Sequence, residues 1–169
     1  MIITKTPYRI SFFGGGSDYP SWYEKNGGAV LSTTINKFLY ISCRFSPKYF
    51  KKKYRIVWRK IENVQRVNQI NHKVVRELLK YLKIKPGLEI HYYGDLPARS
   101  GMGSSSCFTV GLMQTLYRIK KINLNKLDLA KKSIYFEQKV MKEVVGSQDQ
   151  VSATYGGFNK IVFKTGGGF

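Results

Sequence analysis

The sequence predicts an α+β domain, a sheet covered by helices, because strand patterns dominate its first half and helix patterns its second half. Alternating or short apolar runs occupy residues 2–4, 8–13, 29–34, 38–45, 54–59, 88–93 and 158–163. Apolar residues at helical spacing occupy residues 71–82, 105–118 and 127–144. The chain has 169 residues, 43% of them hydrophobic, and no repeat or linker divides it. We therefore expect residues 1–169 to form one domain.

The three helices have recognisable boundaries. The first carries apolar side chains at helical spacing, namely Val74, Val75, Leu78, Leu79 and Leu82. The segment Lys85-Pro-Gly87 ends it, because proline and glycine do not continue a helix. The second helix follows a turn rich in glycine and serine, and the third follows Asn125, a residue type that caps helices. These signals support the helical interpretation of the periodic segments.

The chain is strongly basic. It carries 29 basic and 10 acidic residues, a net charge of +19, and no acidic residue occurs from Lys25 to Lys60. Residues 48–55 interleave basic and aromatic side chains, a pattern that nucleic-acid surfaces share. We favour a solvated basic hairpin over a nucleic-acid partner, since a charge run is usually a solvated face. Such a field would also attract nucleotide and sugar phosphates.

Several functional classes are disfavoured by the composition. No apolar run reaches the length that spans a membrane, and the N-terminus has no signal-peptide core. Cys43 and Cys107 show neither metal-binding nor disulfide spacing, so we expect two buried thiols in a reducing cytoplasm. His72 and His91 have no partner at ligand spacing and are interpreted as structural.

The segment Leu96-Pro-Ala-Arg-Ser-Gly-Met-Gly-Ser-Ser-Ser-Cys107 is the most informative part of the chain. Its two glycines permit a tight turn, and its serines begin a helix. The free N–H groups and positive dipole at a helix start favour a bound anion, which predicts a phosphate site. The segment matches neither the G-x-x-x-x-G-K-[ST] loop nor the complete dinucleotide fingerprint. The alternative interpretation is an ordinary capped helix.

Three motifs together resemble the GHMP kinases, the superfamily of galactokinase, homoserine kinase, mevalonate kinase and phosphomevalonate kinase. The segment at 96–107 resembles the second motif of that superfamily, P-x-x-x-G-[LM]-G-S-S. Thr6-Pro-Tyr-Arg-Ile-Ser-Phe-Phe-Gly-Gly-Gly-Ser-Asp-Tyr19 resembles its N-terminal substrate motif. Glu137 followed by Val145-Gly-Ser-Gln-Asp-Gln-Val-Ser-Ala-Thr-Tyr-Gly-Gly157 resembles the block with its catalytic aspartate. The sequences of these motifs are most similar to those of D-glycero-D-manno-heptose 7-phosphate kinases, and fucose-type kinases share much of them.

The resemblance implies a fold, an activity and a nucleotide loop. The fold would be the ribosomal-protein-S5-domain-2-like N-terminal half of such a kinase, without the usual C-terminal domain. The activity would be transfer of the γ-phosphoryl group of ATP, with Mg²⁺, to the anomeric hydroxyl of a heptose 7-phosphate. The alternative is a truncated or degenerate module that binds nucleotide or polyanions without catalysis. The residues that would bind ATP are Pro97, Arg99, Ser100, Gly101, Met102, Gly103, Ser104, Ser105 and Ser106.

The resemblance also implies roles for individual side chains. Asp149 would be the catalytic base that takes the proton of the acceptor hydroxyl, and Arg9 would keep it ionised. Residue types alone would also allow Asp149 to be a turn aspartate. Glu137 and Ser105 would bind Mg²⁺, which prefers hard oxygen ligands. The residues expected to bind the sugar are Gly16, Asp18 and Tyr19.

Overall fold

A computed structural model describes residues 1–98 and 100–169, and within them six strands form one sheet. The strands are β1 (Ile2–Phe13), β2 (Gly28–Phe45), β3 (Tyr54–Val57), β4 (Ile61–Val64), β5 (Leu88–Gly94) and β6 (Phe158–Phe163). The helices are α1 (Pro20–Asn26), α2 (Lys73–Tyr81), α3 (Ser104–Ile119), α4 (Lys126–Tyr135) and α5 (Gln148–Tyr155). A 3-10 turn covers Val67–Gln69, and a π turn, Phe136–Val140, extends α4. The predicted α+β class is confirmed.

The long strand β2 organises the sheet. The strand order is β1-β2-β5-β3-β4, and β6 pairs with the first part of β2. On one side β2 pairs antiparallel with β1 over most of its length; on the other it pairs first with β6 and then with β5. Only β3 and β5 run parallel among the described strands. Residues 29–34 and 38–45, predicted as separate strands, are therefore one strand, and so are 2–4 and 8–13.

The main core lies between one face of the sheet and the helices. Strand side chains alternate, so that Leu39, Ile41 and Cys43 of β2 are buried while the residues between them are partly exposed. Helix α3 packs on this face, where Thr4 of β1 donates a hydrogen bond to the carbonyl oxygen of Gly111 at 3.2 Å. No helix of the described residues is long and apolar enough to cross a membrane.

The basic segment does not form the predicted hairpin. Residues 46–53 connect β2 to β3, but these two strands do not pair, because β5 lies between them in the sheet. The chain therefore passes over the start of β5, and β3 joins the sheet parallel to it. The hairpin expectation failed because local alternation does not report which strand inserts between two others.

The predicted helix at 127–144 is also too long. Helix α4 ends at Tyr135, and the wider π turn follows it to Val140. Lys142 then adopts φ +55°, a left-handed conformation that stops the helix, so Glu143 lies beyond it. Glu143 is exposed and pairs with Lys73 at 2.7 Å, so it lies on the surface.

Three short elements were absent from the sequence prediction: α1, β4 and α5. Helix α5 is the important one, because it carries Asp149, for which the sequence predicted no helix. No side chain within the local sequence caps α5. Its first N–H, that of Gln148, instead donates to a carboxylate oxygen of Asp18 at 3.1 Å. A helix capped from a distant part of the chain gives no local start signal.

The contact between α3 and β1 should tolerate no side chain at Gly111. A Cβ atom there would lie 2.7 Å from Thr6 Oγ1, closer than packed atoms approach. We expect Gly111→Ala to lower the free energy of unfolding by about 1–2 kcal/mol, despite the better helix propensity of alanine. Urea unfolding measures this, and adding Thr6→Ala should restore most of the loss. A Gly111→Ala protein as stable as the parent would contradict the close packing.

Candidate active site

Arg9 of β1 and Asp149 of α5 form a close ion pair. Arg9 Nε and Nη2 lie 2.7 Å and 2.6 Å from the same oxygen, Asp149 Oδ1. Arg9 Nη1 donates to the carbonyl oxygen of Gly101 at 2.7 Å, which holds the guanidinium in the loop before α3. Asp149 Oδ2 accepts no hydrogen bond within the described part of the chain, so this oxygen is free to take one from a ligand.

The pKa of Asp149 is raised, because burial disfavours the charged carboxylate, while the charge of Arg9 and its hydrogen bond oppose this effect. A carboxylate with one oxygen fixed, the other free and a raised pKa is suited to accept a proton. Asp149 thus has the geometry of the predicted base, and Arg9 lies where it stabilises the ionised form.

The start of α3 brings backbone N–H groups to this pair. Gly103 precedes the helix with φ +72°, a left-handed conformation that favours glycine. A Cβ atom at Gly103 would lie 3.1 Å from Asp149 Oδ2 and 3.5 Å from Arg9 Cγ. The turn therefore passes directly beside the ion pair. The first N–H groups of α3, which have no partner within a helix, are available to an anion at this point.

Glu137 is a buried carboxylate next to the start of α3. The π turn carries it, and its residue is 5% exposed. Its Oε2 accepts hydrogen bonds from Ser106 Oγ at 2.9 Å and from the side-chain amide of Gln150. Its Oε1 is buried and accepts none among the described residues. Burial raises the pKa of Glu137. The neighbouring hydrogen-bond donors favour the charged form and oppose this effect. A buried carboxylate with an unused oxygen is a costly arrangement unless something binds it.

The oxygen atoms near the start of α3 fit a magnesium ion better than a metal ion whose ligands all come from the protein. In the described part of the chain, no group of three or more His, Cys, Asp and Glu side chains could hold a metal. Mg²⁺ needs only one or two protein oxygens when phosphates and water supply the others. Glu137 Oε1 and a serine hydroxyl at the start of α3 meet that requirement. The hydroxyl that contacts Glu137 is that of Ser106, whereas Ser105 is exposed toward the adjoining cavities.

Asp18 is buried and tied to backbone. Its residue is 1% exposed, and its two oxygens accept hydrogen bonds from the N–H groups of Gly16 at 3.0 Å and Gln148 at 3.1 Å. The main-chain oxygen of Asp18 accepts from Ser147 N–H at 2.9 Å. The structure thus gives Asp18 a structural task, in which Gly16 takes part, and the role of Asp18 in sugar binding stays a prediction. Tyr19 is partly exposed and lines the same cavity.

Three adjoining cavities surround these groups. A central cavity of about 290 Å³ contains Asp149, Arg9, Asp18 and the three serines at the start of α3. A strand-side cavity of about 660 Å³ shares Arg9 and Gly101 with it and continues along the end of β1 and the glycine turn. An aromatic cavity of about 490 Å³ shares Ser104 and Ser105 with it. The start of α3 therefore lies between an aromatic cavity and a polar one.

The aromatic cavity contains residues that the sequence analysis assigned no role. His72 stacks on Phe108 with ring centres 4.7 Å apart and meets Trp58 edge-on at 4.8 Å. His72 Nδ1 is buried and has no hydrogen-bond partner among the described residues, and burial lowers the pKa of His72. Because these three rings come from separate segments, no spacing in the sequence could have predicted that they meet. The only signal that the sequence offered was a tryptophan, Trp58, and a histidine, His72, in polar segments.

The remaining nucleotide-loop residues lie in the connection from β5 to α3. Ser100, Gly101 and Met102 line the strand-side cavity, and Pro97 is exposed. Arg99 lies outside the described residues. Gln150, which holds Glu137, was not predicted as a site residue; its place beside Asp149 in the sequence was the available signal.

Glu137 should lower the stability of the unliganded chain. A carboxyl group with a raised pKa binds more protons in the folded state, so stability falls as the pH rises from its ordinary value of 4.5 through the raised one. We expect Glu137→Gln to raise the free energy of unfolding by roughly 1 kcal/mol at pH 8. The gain should shrink as the pH falls below the ordinary value of 4.5, where Glu137 becomes mostly protonated in both states. Thermal unfolding of both proteins across this pH range measures the effect.

Glu143→Gln is the matched control, since Glu143 is exposed and should change stability little at either pH. A Glu137→Gln protein that is less stable than the parent at pH 8 would show that the charged form of Glu137 is favoured by its surroundings.

Comparison with known proteins identifies the same family. The GHMP kinases N terminal domain family matches residues 68–157. The D-glycero-alpha-D-manno-heptose 7-phosphate kinase of Campylobacter jejuni is 31% identical over 96% of this chain and 50% of its own length. The galactokinase of Pyrococcus furiosus is 23% identical over 96% of this chain and 46% of its own length. The chain thus spans about half the length of the curated relatives it matches.

A solved structure agrees with the fold. The crystal structure of a D-glycero-D-manno-heptose 1-phosphate kinase from Bacteroides thetaiotaomicron superposes with a TM-score of 0.84 at 24% identity. The match covers 98% of this chain and 57% of that one. The expected fold, that of the N-terminal half of such kinases, is confirmed by this likeness. The family match over more than half of the chain and the 31% identical relative lead to one conclusion: this chain belongs to the GHMP kinases, a family of small-molecule kinases.

Proposed function

We propose that this chain is the nucleotide-binding and catalytic domain of an ATP- and Mg²⁺-dependent sugar-phosphate kinase. The observation that carries the proposal is the ion pair of Arg9 and Asp149 in one cavity with the start of α3. Phosphoryl transfer needs a site for phosphates, a means of neutralising charge and a base for the acceptor hydroxyl. Adjoining groups of this chain would meet these three requirements.

In the proposal, the aromatic cavity binds the adenine ring and the start of α3 binds the phosphates. The rings of His72, Phe108 and Trp58 offer flat apolar surfaces, and the cavity opens onto Ser104 and Ser105. A base in this cavity would direct its phosphates toward the free N–H groups of α3. Because His72 is held neutral by burial, it would stack on the base without adding charge.

The acceptor sugar is assigned to the strand-side cavity, which meets the central cavity at Arg9 and Gln148. We take a heptose 7-phosphate as the acceptor and its anomeric hydroxyl as the reacting group, because the 31% identical relative is a heptose 7-phosphate kinase. The basic surface of the chain favours a substrate that carries a phosphate.

The chain's own residues would act on the acceptor as follows. Asp149 Oδ2 accepts the proton of the reacting hydroxyl, while Arg9 fixes Oδ1 and stabilises the negative charge that remains near the base. Mg²⁺, when bound, would neutralise phosphate charge, with Glu137 and a serine hydroxyl of the Ser104–Ser106 segment as its protein ligands. Gln150 orients Glu137 through its amide. A cytoplasmic location is part of the proposal, consistent with two free and buried thiols, Cys43 and Cys107.

The first test is nucleotide binding. The chain should bind Mg-ATP, and Trp58 fluorescence should change on binding because Trp58 lines the aromatic cavity. Gly103→Val should reduce the affinity at least tenfold, since a β-branched side chain at φ +72° displaces the turn that approaches the phosphates. Titration calorimetry and tryptophan fluorescence measure the affinity.

Gly157→Val is the matched control, because Gly157 also has φ +72° but has open space around it and lies outside the three cavities. It should strain the backbone without affecting nucleotide affinity. Absence of Mg-ATP binding by the unaltered chain at low salt, or equal losses in the two variants, would count against the proposal.

The second test is catalysis by a polypeptide that carries this chain together with the other half found in its relatives. Asp149→Asn keeps the size of the side chain but removes the proton acceptor, so kcat should fall ~10²–10⁴-fold. The KM for a heptose 7-phosphate should change far less, because ground-state contacts are mostly retained. Steady-state kinetics with the sugar phosphate measure both constants.

Asp128→Asn provides the control, since it makes the same change in the first turn of α4, at an exposed position. It should leave both constants unchanged. Turnover of Asp149→Asn near the parent rate would remove Asp149 as the base, even if nucleotide binding is intact.

A further inference from the structure

The face of the sheet that is turned away from α3 carries a row of aromatic side chains. Along β2 and β5 the residues between the buried ones point to this face, and directly paired residues share it. Tyr40 of β2 pairs with Tyr93 of β5, and Lys5 of β1 pairs with Tyr40 from the other side. Phe38 lies next to Tyr40, with ring centres 6.2 Å apart. We call the surface formed by Lys5, Phe38, Tyr40, Arg44, His91 and Tyr93 the open face.

The open face is also basic. Lys5 Nζ lies 3.7 Å from the centre of the Phe38 ring, and Arg44 is about half exposed at the other end of β2. Two acidic side chains lie on this part of the sheet. Glu89 forms an ion pair with Arg44 at 2.6 Å and a hydrogen bond with His91 at 2.8 Å, and Asp95 accepts a hydrogen bond from the Phe38 N–H at 2.8 Å. Arg55 of β3 approaches the Glu89 carboxylate at 3.4 Å. The positive charge therefore exceeds the negative charge at this surface, as it does in the whole chain.

Aromatic and basic side chains arranged in this way fit a single-stranded polynucleotide. Bases stack on aromatic rings displayed by an open sheet, and phosphates pair with neighbouring lysine and arginine side chains. A lipid bilayer is the less suitable partner, because membrane anchors protrude, whereas Phe38, Tyr40 and His91 are only partly exposed within the pleated surface. Tyr93, at 59% exposure, is the most accessible ring of the row.

From this arrangement we propose that the open face binds single-stranded nucleic acid, at a site separate from the three cavities. Bases stack on Tyr93 and Tyr40, and the backbone phosphates are paired by Lys5, Arg44 and Arg55. The open face includes no residue of the basic segment at 46–53. It also lies on the side of the sheet away from Gly111 and α3.

The experiment is fluorescence anisotropy with a labelled 12-nucleotide RNA at physiological salt and saturating Mg-ATP. We expect binding to persist in Mg-ATP, because the nucleotide cavities are not involved. Tyr40→Ser with Tyr93→Ser should weaken binding ~10-fold or more, since two stacking sites are lost. The matched control, Tyr49→Ser with Tyr135→Ser, removes two exposed tyrosines from other surfaces and should change the affinity less than about twofold.

Charge is tested separately in case the tyrosine pair is needed for folding. Lys5→Gln should reduce the slope of log affinity against log salt by about one. Lys131→Gln, at an exposed position of α4, removes the same charge elsewhere and should leave this slope unchanged. The affinity for the single-stranded RNA is also compared with the affinities for the single-stranded DNA and for the duplex of the same sequence. These two affinities should differ from that of the RNA only if binding uses base stacking and the ribose.

Four outcomes would overturn the proposal. They are displacement of RNA by Mg-ATP, equal losses in the tyrosine pair and its control, loss of binding only when Lys51, Lys52 and Lys53 are changed to Gln, and preferential binding to vesicles containing anionic lipid. A dimer in solution whose interface is broken by the tyrosine pair would likewise assign the open face to a second copy of the chain.

Discussion

The carboxylate of Asp18 connects the two halves of the candidate site. It lies at the end of the glycine turn after β1, yet it accepts the first N–H of α5, which is 130 residues away in the sequence. Gly146 is placed so that any Cβ would overlap the Asp18 carboxylate, which explains why glycine is needed just before α5. Without this contact α5 would lack a cap, because its own sequence supplies none.

The position of α5 in turn sets two contacts of the candidate site. The first turn of the helix directs Asp149 toward Arg9 and directs Gln150 toward Glu137. Consecutive residues on a helix point in different directions, so a single short helix can serve two carboxylates on two sides. The pKa values of Asp149 and Glu137 are both raised, mainly because partial burial of Asp149 and full burial of Glu137 disfavour the charged carboxylates. The domain therefore retains two costly carboxylates at one place, the pattern expected where function opposes stability.

Sequence reasoning succeeded where the signal was local. The glycine–serine turn before α3, the alternation of β2 and β5 and the periodicity of α2 depend on neighbouring residues, and each appears in the structure close to its predicted place. Helix α5 was missed because its cap comes from Asp18, and the hairpin was wrong because β5 inserts between β2 and β3. The aromatic cavity was missed for the same reason, since its rings come from separate segments. Motif resemblance located Asp149 and Glu137 because it carries information about contacts that local patterns lack.

The alternation of β5 links the two surfaces that this domain presents. Tyr92 points to the core side, where it meets Phe108 of the aromatic cavity edge-on at 5.3 Å, while its neighbours His91 and Tyr93 point to the open face. Because side chains on a strand alternate, a shift of β5 that moves one surface must move the other. Pairing with β2 over Leu88–Gly94 and with β3 over three positions resists such a shift. The sheet therefore separates the cavity and the open face chemically while holding them in a fixed relation. Strand β5 is therefore one physical route by which a ligand on one side can influence the other side.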